Sequence, residues 1–202
     1  PEEANTSAAL VRGVAAKIKE LGFPLSGFDA YVTSTVLSGS GLSSSAAYET
    51  LIGCILNHFC CGDKLDSVAI AKVGQYAENV YFGKPCGLMD QMGSSVGGAV
   101  FIDFNDPANP VVEKVDYDFS QSGHALCIVD TASSHGDLTD DYAAVTREMG
   151  AVAAHFGKSV LRDVPLEDFH AAVPALRQEC GDREVLRAMH VYSDDRRAAQ
   201  EA

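Results

Sequence analysis

The spacing of apolar residues changes repeatedly along this chain, and each change marks an element. Between Ala4 and Leu21, the residues Leu10, Val14, Ile18 and Leu21 recur at helical spacing with charges between them. They predict an amphipathic helix, stopped by Gly22 and Pro24. From Gly27 to Leu37 the pattern shifts to alternation. Phe28, Ala30, Val32 and Val36 take one face; Asp29, Thr33 and Thr35 take the other. With its β-branched residues, this stretch predicts a strand. Tyr48, Leu51, Ile52, Ile55, Leu56 and Phe59 then form a helical stripe to about Cys60, ended by Gly62. A second long helix carries Val68, Ala71, Val73, Ala77, Val80 and Tyr81. Asp66 or Ser67 is its cap, and Gly83 and Pro85 its stop.

Further on, the stretches 99–104 and 111–116 flank the turn signal Asn105-Asp106-Pro107 and predict a hairpin-like pair of strands. The continuous apolar run from Ala125 to Asp130 suits a buried strand. Leu138, Tyr142, Val145, Met149, Val152 and Phe156 predict a long helix with Thr139 as a candidate cap. A short helix follows Pro165, and a last one begins at Asp182 and runs through Val185, Met189 and Tyr192. Strands and helices mix early and helices dominate late, so α+β is the expected class. A shift in composition at Gln121-Ser122-Gly123 predicts two domains, 1–121 and 122–202.

Composition narrows the function classes. The 202 residues carry a net charge of −13, and no basic cluster exceeds the pair Arg196-Arg197. Nucleic acid and anionic membrane surfaces are therefore not expected partners. The six cysteines are scattered without a C-x-x-C spacing, which fits reduced thiols rather than zinc or a disulfide framework. No apolar run is long enough to span a membrane. The chain opens on Pro1-Glu2-Glu3 without a methionine, and its last helical pattern has no stop signal, so a piece of a longer protein is expected.

Candidate chemistry sits in three places. The loop Gly39-Ser40-Gly41-Leu42-Ser43-Ser44-Ser45 lies between the predicted strand and a helix. Flexible small residues ahead of a helix N-terminus can cradle an anion with backbone N–H groups. The competing reading is a turn with one serine capping the helix. The loop is neither a Walker A motif nor a dinucleotide fingerprint. Asp90 follows Gly87-Leu88-Met89 just past a helix end; it either caps a turn or orients a hydroxyl nucleophile. Glu78, on the preceding helix, is either solvated or, with a serine hydroxyl, part of a magnesium site, because magnesium needs only one or two protein oxygens.

Taken together, Gly39–Ala46 and Cys86-Gly87-Leu88-Met89-Asp90-Gln91, with Ala77-Glu78-Asn79 ahead, resemble the small-molecule kinase superfamily of galactokinase, homoserine, mevalonate and phosphomevalonate kinases. The second motif is similar to the galactokinase branch. The resemblance covers most of residues 27–104, with elements in the same order to Arg197. It implies a two-domain fold: a ribosomal protein S5 domain 2-like first part and the start of a ferredoxin-like second part.

The resemblance also implies roles. Gly39, Ser40, Gly41, Leu42, Ser43, Ser44 and Ser45 would bind ATP phosphates, and Ser45 and Glu78 would hold Mg2+. Asp90 would be the catalytic residue, and Gly87, Asp90 and Tyr142 would contact galactose. The implied reaction is phosphorylation of the galactose 1-hydroxyl in the cytoplasm, with a sugar-binding regulator or an N-acetylgalactosamine kinase as alternatives. The family's N-terminal Pro-Gly-Arg and Gly-Glu-His-x-Asp-Tyr signatures and its C-terminal glycine-rich motif are absent from these residues. The 202 residues alone are therefore expected to be inactive, and to cover exposed apolar faces by self-association or rearrangement.

Overall fold

Helices form where the apolar stripes predict them. The structure is a computed structural model that describes residues 4–36, 41–129 and 139–201. It divides into two compact units, 1–136 and 137–202. In the first unit, α1 (Ser7–Glu20) is capped by Thr6, whose side chain accepts from Ala9 N at 3.3 Å. α2 (Ser44–Leu56) runs into a π-helical turn, Asn57–Cys61. α3 (Ser67–Tyr76) starts at Asp66, whose Oδ1 accepts from Ala69 N at 2.7 Å, and also ends in a π-helical turn, Ala77–Phe82. A short helix, α4 (Met89–Val96), follows.

These helices share one apolar centre: Val14 and Ile18 of α1, Ile52 and Leu56 of α2, and Val73 and Ala77 of the third helical run. Burying each large aliphatic side chain contributes about 1.5–3 kcal/mol. α1 and the turn after α3 touch so closely that a Cβ on Gly13 would lie 2.7 Å from Ala77 Cα. A smaller cluster joins Ala71, Leu88 and Met92 to Ile102 and Val112 of a two-stranded sheet. Its strands β1 (Ala99–Asp103) and β2 (Val111–Val115) pair antiparallel, Phe101 opposite Glu113, as the hairpin pattern predicts.

The two other predicted strands are corrections. Described residues of 27–37 lie in no sheet, with Tyr31 94% exposed; Leu37 is outside the description. The run 125–129 is likewise unpaired among the described residues, with Leu126 85% exposed, and Asp130 falls outside. The reason is physical. A strand needs a neighbour to satisfy its N–H and C=O groups, and β1–β2 is the only sheet among the described residues. Phe28 and Val32 instead line a cleft of about 370 Å³ with Val11, Tyr48 and Leu56.

The second unit contains α5 (Thr139–His155), α6 (Leu166–Glu179) and α7 (Asp182–Glu201). Leu138 and the Thr139 side chain, the predicted cap, lie outside the description. Val152, Phe169, Leu176, Val185 and Ala188 form its core. Glu148, buried on α5, meets Arg183 Nε at 2.7 Å and Arg187 Nε at 3.1 Å from α7.

Candidate active site

Three helix starts or ends of the first unit carry the predicted residues. Gly39 and Ser40 lie outside the described residues. Gly41 has φ +77° and Ser43 has φ +57° with ψ +44°, a left-handed conformation that costs a serine of order 1–3 kcal/mol. Ser43 occupies the cap position of α2, yet its side chain makes no capping hydrogen bond. The first backbone bond of the helix runs from Ala47 N to Ser43 O at 3.0 Å. The N–H groups of Ser44, Ser45 and Ala46 therefore have no partner within the helix. The Ser43 side chain does not cap this helix, and a helix N-terminus without a side-chain cap is a favourable place for an anion.

Ser45 points its hydroxyl at the other predicted residue. Its Oγ donates to Glu78 Oε1 at 2.9 Å, across 33 positions of sequence. Glu78 is only 2% exposed, which corrects the reading of a solvated helical glutamate. The π-helical turn holding it changes the phase of the stripe: Glu78 goes inward, while Val80 goes out to 59% exposure. Lys84 Nζ stands 3.3 Å from the same Oε1 and pairs with it.

The segment after that turn folds back onto it. Cys86 N donates to Asn79 Oδ1 at 2.7 Å, and Gln75 Nε2 donates to Cys86 O at 3.3 Å. This fixes the backbone just before Gly87, which is exposed with open space where a Cβ would go. Leu88 is the cap of α4, so Asp90 lies in its first turn, exposed, near the positive end of the helix dipole. Tyr142 lies on α5 of the second unit and is 53% exposed there.

Two buried residues are absent from the sequence-based set. Gln91 Nε2 donates to Glu78 Oε2 at 2.8 Å and to Glu49 Oε2 at 3.1 Å. Glu49 and Gln91 are 0% and 1% exposed. A Cβ on Gly74 would lie 3.2 Å from Glu49 Cβ, so the absent side chain leaves room for this acid. Burial, then the Glu78 carboxylate, push the Glu49 carboxyl up to about 8; the Gln91 bond and Lys84 act the other way. Burial and Glu78 also push the Cys86 thiol up to about 12. A signal for Glu49 did exist: Ser45, Glu49, Ile52 and Leu56 step by four, three and four along one helix face.

The donor set suits a hard cation poorly as a closed cage and well as an open site. Among the described residues, no group of three or more His, Cys, Asp and Glu side chains is arranged to hold a metal ion. Ser45 Oγ and Glu78 Oε1 are two adjacent hard oxygens, which is the number a magnesium ion takes when phosphate and water complete its shell.

Residues 9–98 match the family model described as the GHMP kinases N terminal domain. Along 191 residues, 92% of the chain, it is 37% identical to a galactokinase of Streptomyces coelicolor. Against the human galactokinase it is 37% identical over 182 residues, 89% of the chain. Over nearly its whole length the chain is similar to these galactokinases. It spans 47% of the Streptomyces relative and 44% of the human one, thus less than half the length of each. Relatedness over nearly the whole chain explains why both motifs occur together and in order. No described helix is long and apolar enough to cross a membrane.

Proposed function

We propose that the protein containing this chain transfers the γ-phosphoryl group of ATP to the 1-hydroxyl of galactose. The observation that carries the reading is the Ser45–Glu78 hydrogen bond, which joins the helix after the glycine-serine loop to a buried acid. The names of the relatives supply the sugar. The same reading takes 1–121 as the ATP-binding part, S5 domain 2-like, and 122–202 as the start of a ferredoxin-like part. It also places the protein in the cytoplasm, in line with its scattered cysteines.

Under this reading, Gly39–Ser45 hold the phosphates with backbone N–H groups and hydroxyls. Ser45 and Glu78 would hold Mg2+, which when bound supplies neutralising charge to phosphate oxygens. Asp90 orients the sugar hydroxyl. An ordinary carboxylate is too weak a base to ionise an alcohol beforehand. It takes the proton late, as the new O–P bond forms and the bond to the departing diphosphate breaks. Gly87 allows the backbone to approach the sugar, and Tyr142 contributes a hydrogen bond to it.

The test is Asp90→Asn in the full-length protein. Turnover should fall by at least about 100-fold while galactose still binds, because orientation and proton acceptance act mainly in the transition state. Near-normal turnover would remove Asp90 from the mechanism. A wild-type protein that phosphorylates only N-acetylgalactosamine would change the substrate, and one that binds galactose and ATP without turnover would make it a regulator.

A further inference from the structure

Helix α4 carries Asp90, and few directed contacts hold its first turn. Leu88, at the cap position, makes no side-chain capping bond. Met89 is 64% exposed, and Asp90 is exposed beside it. Gln91 and Met92 are the residues of that turn that face inward. Met92 packs with Ala71 and Leu88, an apolar contact without direction. Gln91 differs. Its Nε2 donates to Glu78 Oε2 at 2.8 Å and to Glu49 Oε2 at 3.1 Å, so both amide hydrogens are aimed at fixed partners. Its Oε1 is buried without a hydrogen-bond partner, so the amide sits here for its donors and at a cost. A methionine of similar shape would pack in its place without stranding that oxygen.

A second pin lies one turn further on. Ser95 Oγ donates to Ser67 O, at the start of α3, at 2.7 Å. Positions 91 and 95 are four apart and share a face of the helix. Two directed bonds on one stripe fix the rotation of α4 about its axis and its shift along it. Asp90 stands one residue before Gln91, about 100° round the same helix. The direction in which Asp90 leaves the surface is therefore tied to the Gln91 amide. Glu78 Oε1 in turn accepts from Ser45 Oγ at 2.9 Å. Two hydrogen bonds thus connect the residue next to Asp90 with the N-terminus of α2.

We propose that Gln91 is a positioning residue for Asp90: its amide anchors the first turn of α4 on Glu78 and Glu49, which holds the Asp90 carboxylate at one distance and rotation from the Ser45–Glu78 pair. Gln91 itself touches neither sugar nor phosphate. The positioning role rests on the proposed reading of Asp90 as the group that orients the sugar hydroxyl; the anchoring of α4 does not.

Two measurements on the full-length protein test the two parts. Gln91→Met keeps the volume and removes both donors. In hydrogen–deuterium exchange, the α4 amides, led by Met92 N, which donates to Leu88 O at 3.0 Å, should exchange at least about 10-fold faster in the variant, with those of α1 unchanged. Unchanged exchange on α4 would overturn the anchoring and the proposal with it. The second measurement is a double-mutant cycle on galactose phosphorylation. Gln91→Met should lower kcat at least about 10-fold with galactose affinity within about 3-fold of wild type, because misplacing a reacting group by about 1 Å already costs up to about 100-fold. In an Asp90→Asn background the same change should cost less than about 2-fold, because the group it positions has gone. Equal losses in both backgrounds would mean that Gln91 acts through Glu78 and not through Asp90. A wild-type kcat in Gln91→Met would mean that Asp90 needs no such anchor. Either result overturns the proposal. If the wild-type protein phosphorylates no sugar, the reading of Asp90 fails and the positioning role with it, while faster exchange in the variant still establishes the anchor. Gln91→Asn, with an amide on a shorter stem, replaces Gln91→Met in both measurements if a circular dichroism melt shows that the latter does not fold.

Discussion

Glu148 in the second unit and the pair Glu49 and Glu78 in the first are all buried acids, but their surroundings differ. Glu148 receives one guanidinium on each oxygen, at 2.7 and 3.1 Å, so both lone-pair directions meet positive charge. Glu49 and Glu78 share one amide, the lysine reaches Glu78 alone, and two buried oxygens in the cluster have no hydrogen-bond partner. The first arrangement is what a protein builds to hold helices together. The second is held against an electrostatic cost, and such costs concentrate where a site needs them. The difference separates an acid neutralised by two guanidinium groups from a pair of acids that is not.

The largest effect should come from breaking the satisfied cluster. Replacing both arginines, Arg183→Met with Arg187→Met, strands the Glu148 carboxylate in a site where it is only 4% exposed. The second unit should lose about 3–5 kcal/mol, read from urea unfolding followed on α5–α7. A loss under about 1 kcal/mol would mean that water reaches Glu148, and the contrast between the units would weaken.

A smaller effect of opposite sense belongs to Glu49. Its carboxyl is raised from 4.5 to about 8 in the folded chain, by burial first and by Glu78 second, with Asp90 adding and Lys84 opposing. Between those values the folded state binds a proton that the unfolded state has released. Stability therefore falls as pH rises from about 4.5 and levels off above about 8. Glu49→Gln removes that slope. The variant should match wild type near pH 5 and exceed it by about 1–3 kcal/mol at pH 9. Melting curves across this range check the sign; a wild-type chain that gains stability relative to the variant with rising pH would contradict the burial of an uncompensated acid.

Much of the framework was legible in the sequence, for a reason that also marks where reading stops. Helix stripes such as Val14–Ile18 and Ile52–Leu56 are local patterns, and each predicts its own buried face. The stretches 27–37 and 125–130 carry equally good strand patterns, but pairing is not local, and no described residue supplies an edge for them. Within the site, the motifs and the resemblance they carry point to Ser45, Glu78 and Asp90. The burial of Glu78 is not legible from periodicity, because a π-helical turn breaks the 3.6-residue phase. Glu49 lies on the apolar face of α2, where a charged residue is itself a signal. Gln91 was hidden by its neighbours: a glutamine beside Asp90 in a short helix has no pattern that distinguishes burial from exposure.

The smallest effect concerns Cys86, whose sulfur accepts from Gln91 Nε2 at 3.6 Å at the edge of the cluster. Its thiol is pushed up to about 12 by burial and then by the Glu78 charge, whereas a thiol must ionise to react with an alkylating agent. At pH 8, iodoacetamide should label Cys86 at least about 10-fold more slowly than the exposed Cys127. Glu78→Gln removes the second cause and leaves the first, so labelling of Cys86 should rise only a few-fold. Rapid labelling in wild type would mean that solvent enters between Glu78 and Gln91. The two orphaned oxygens would then have water as their partner, and the contrast with Glu148 would reduce to one between a dry acid and a wet one.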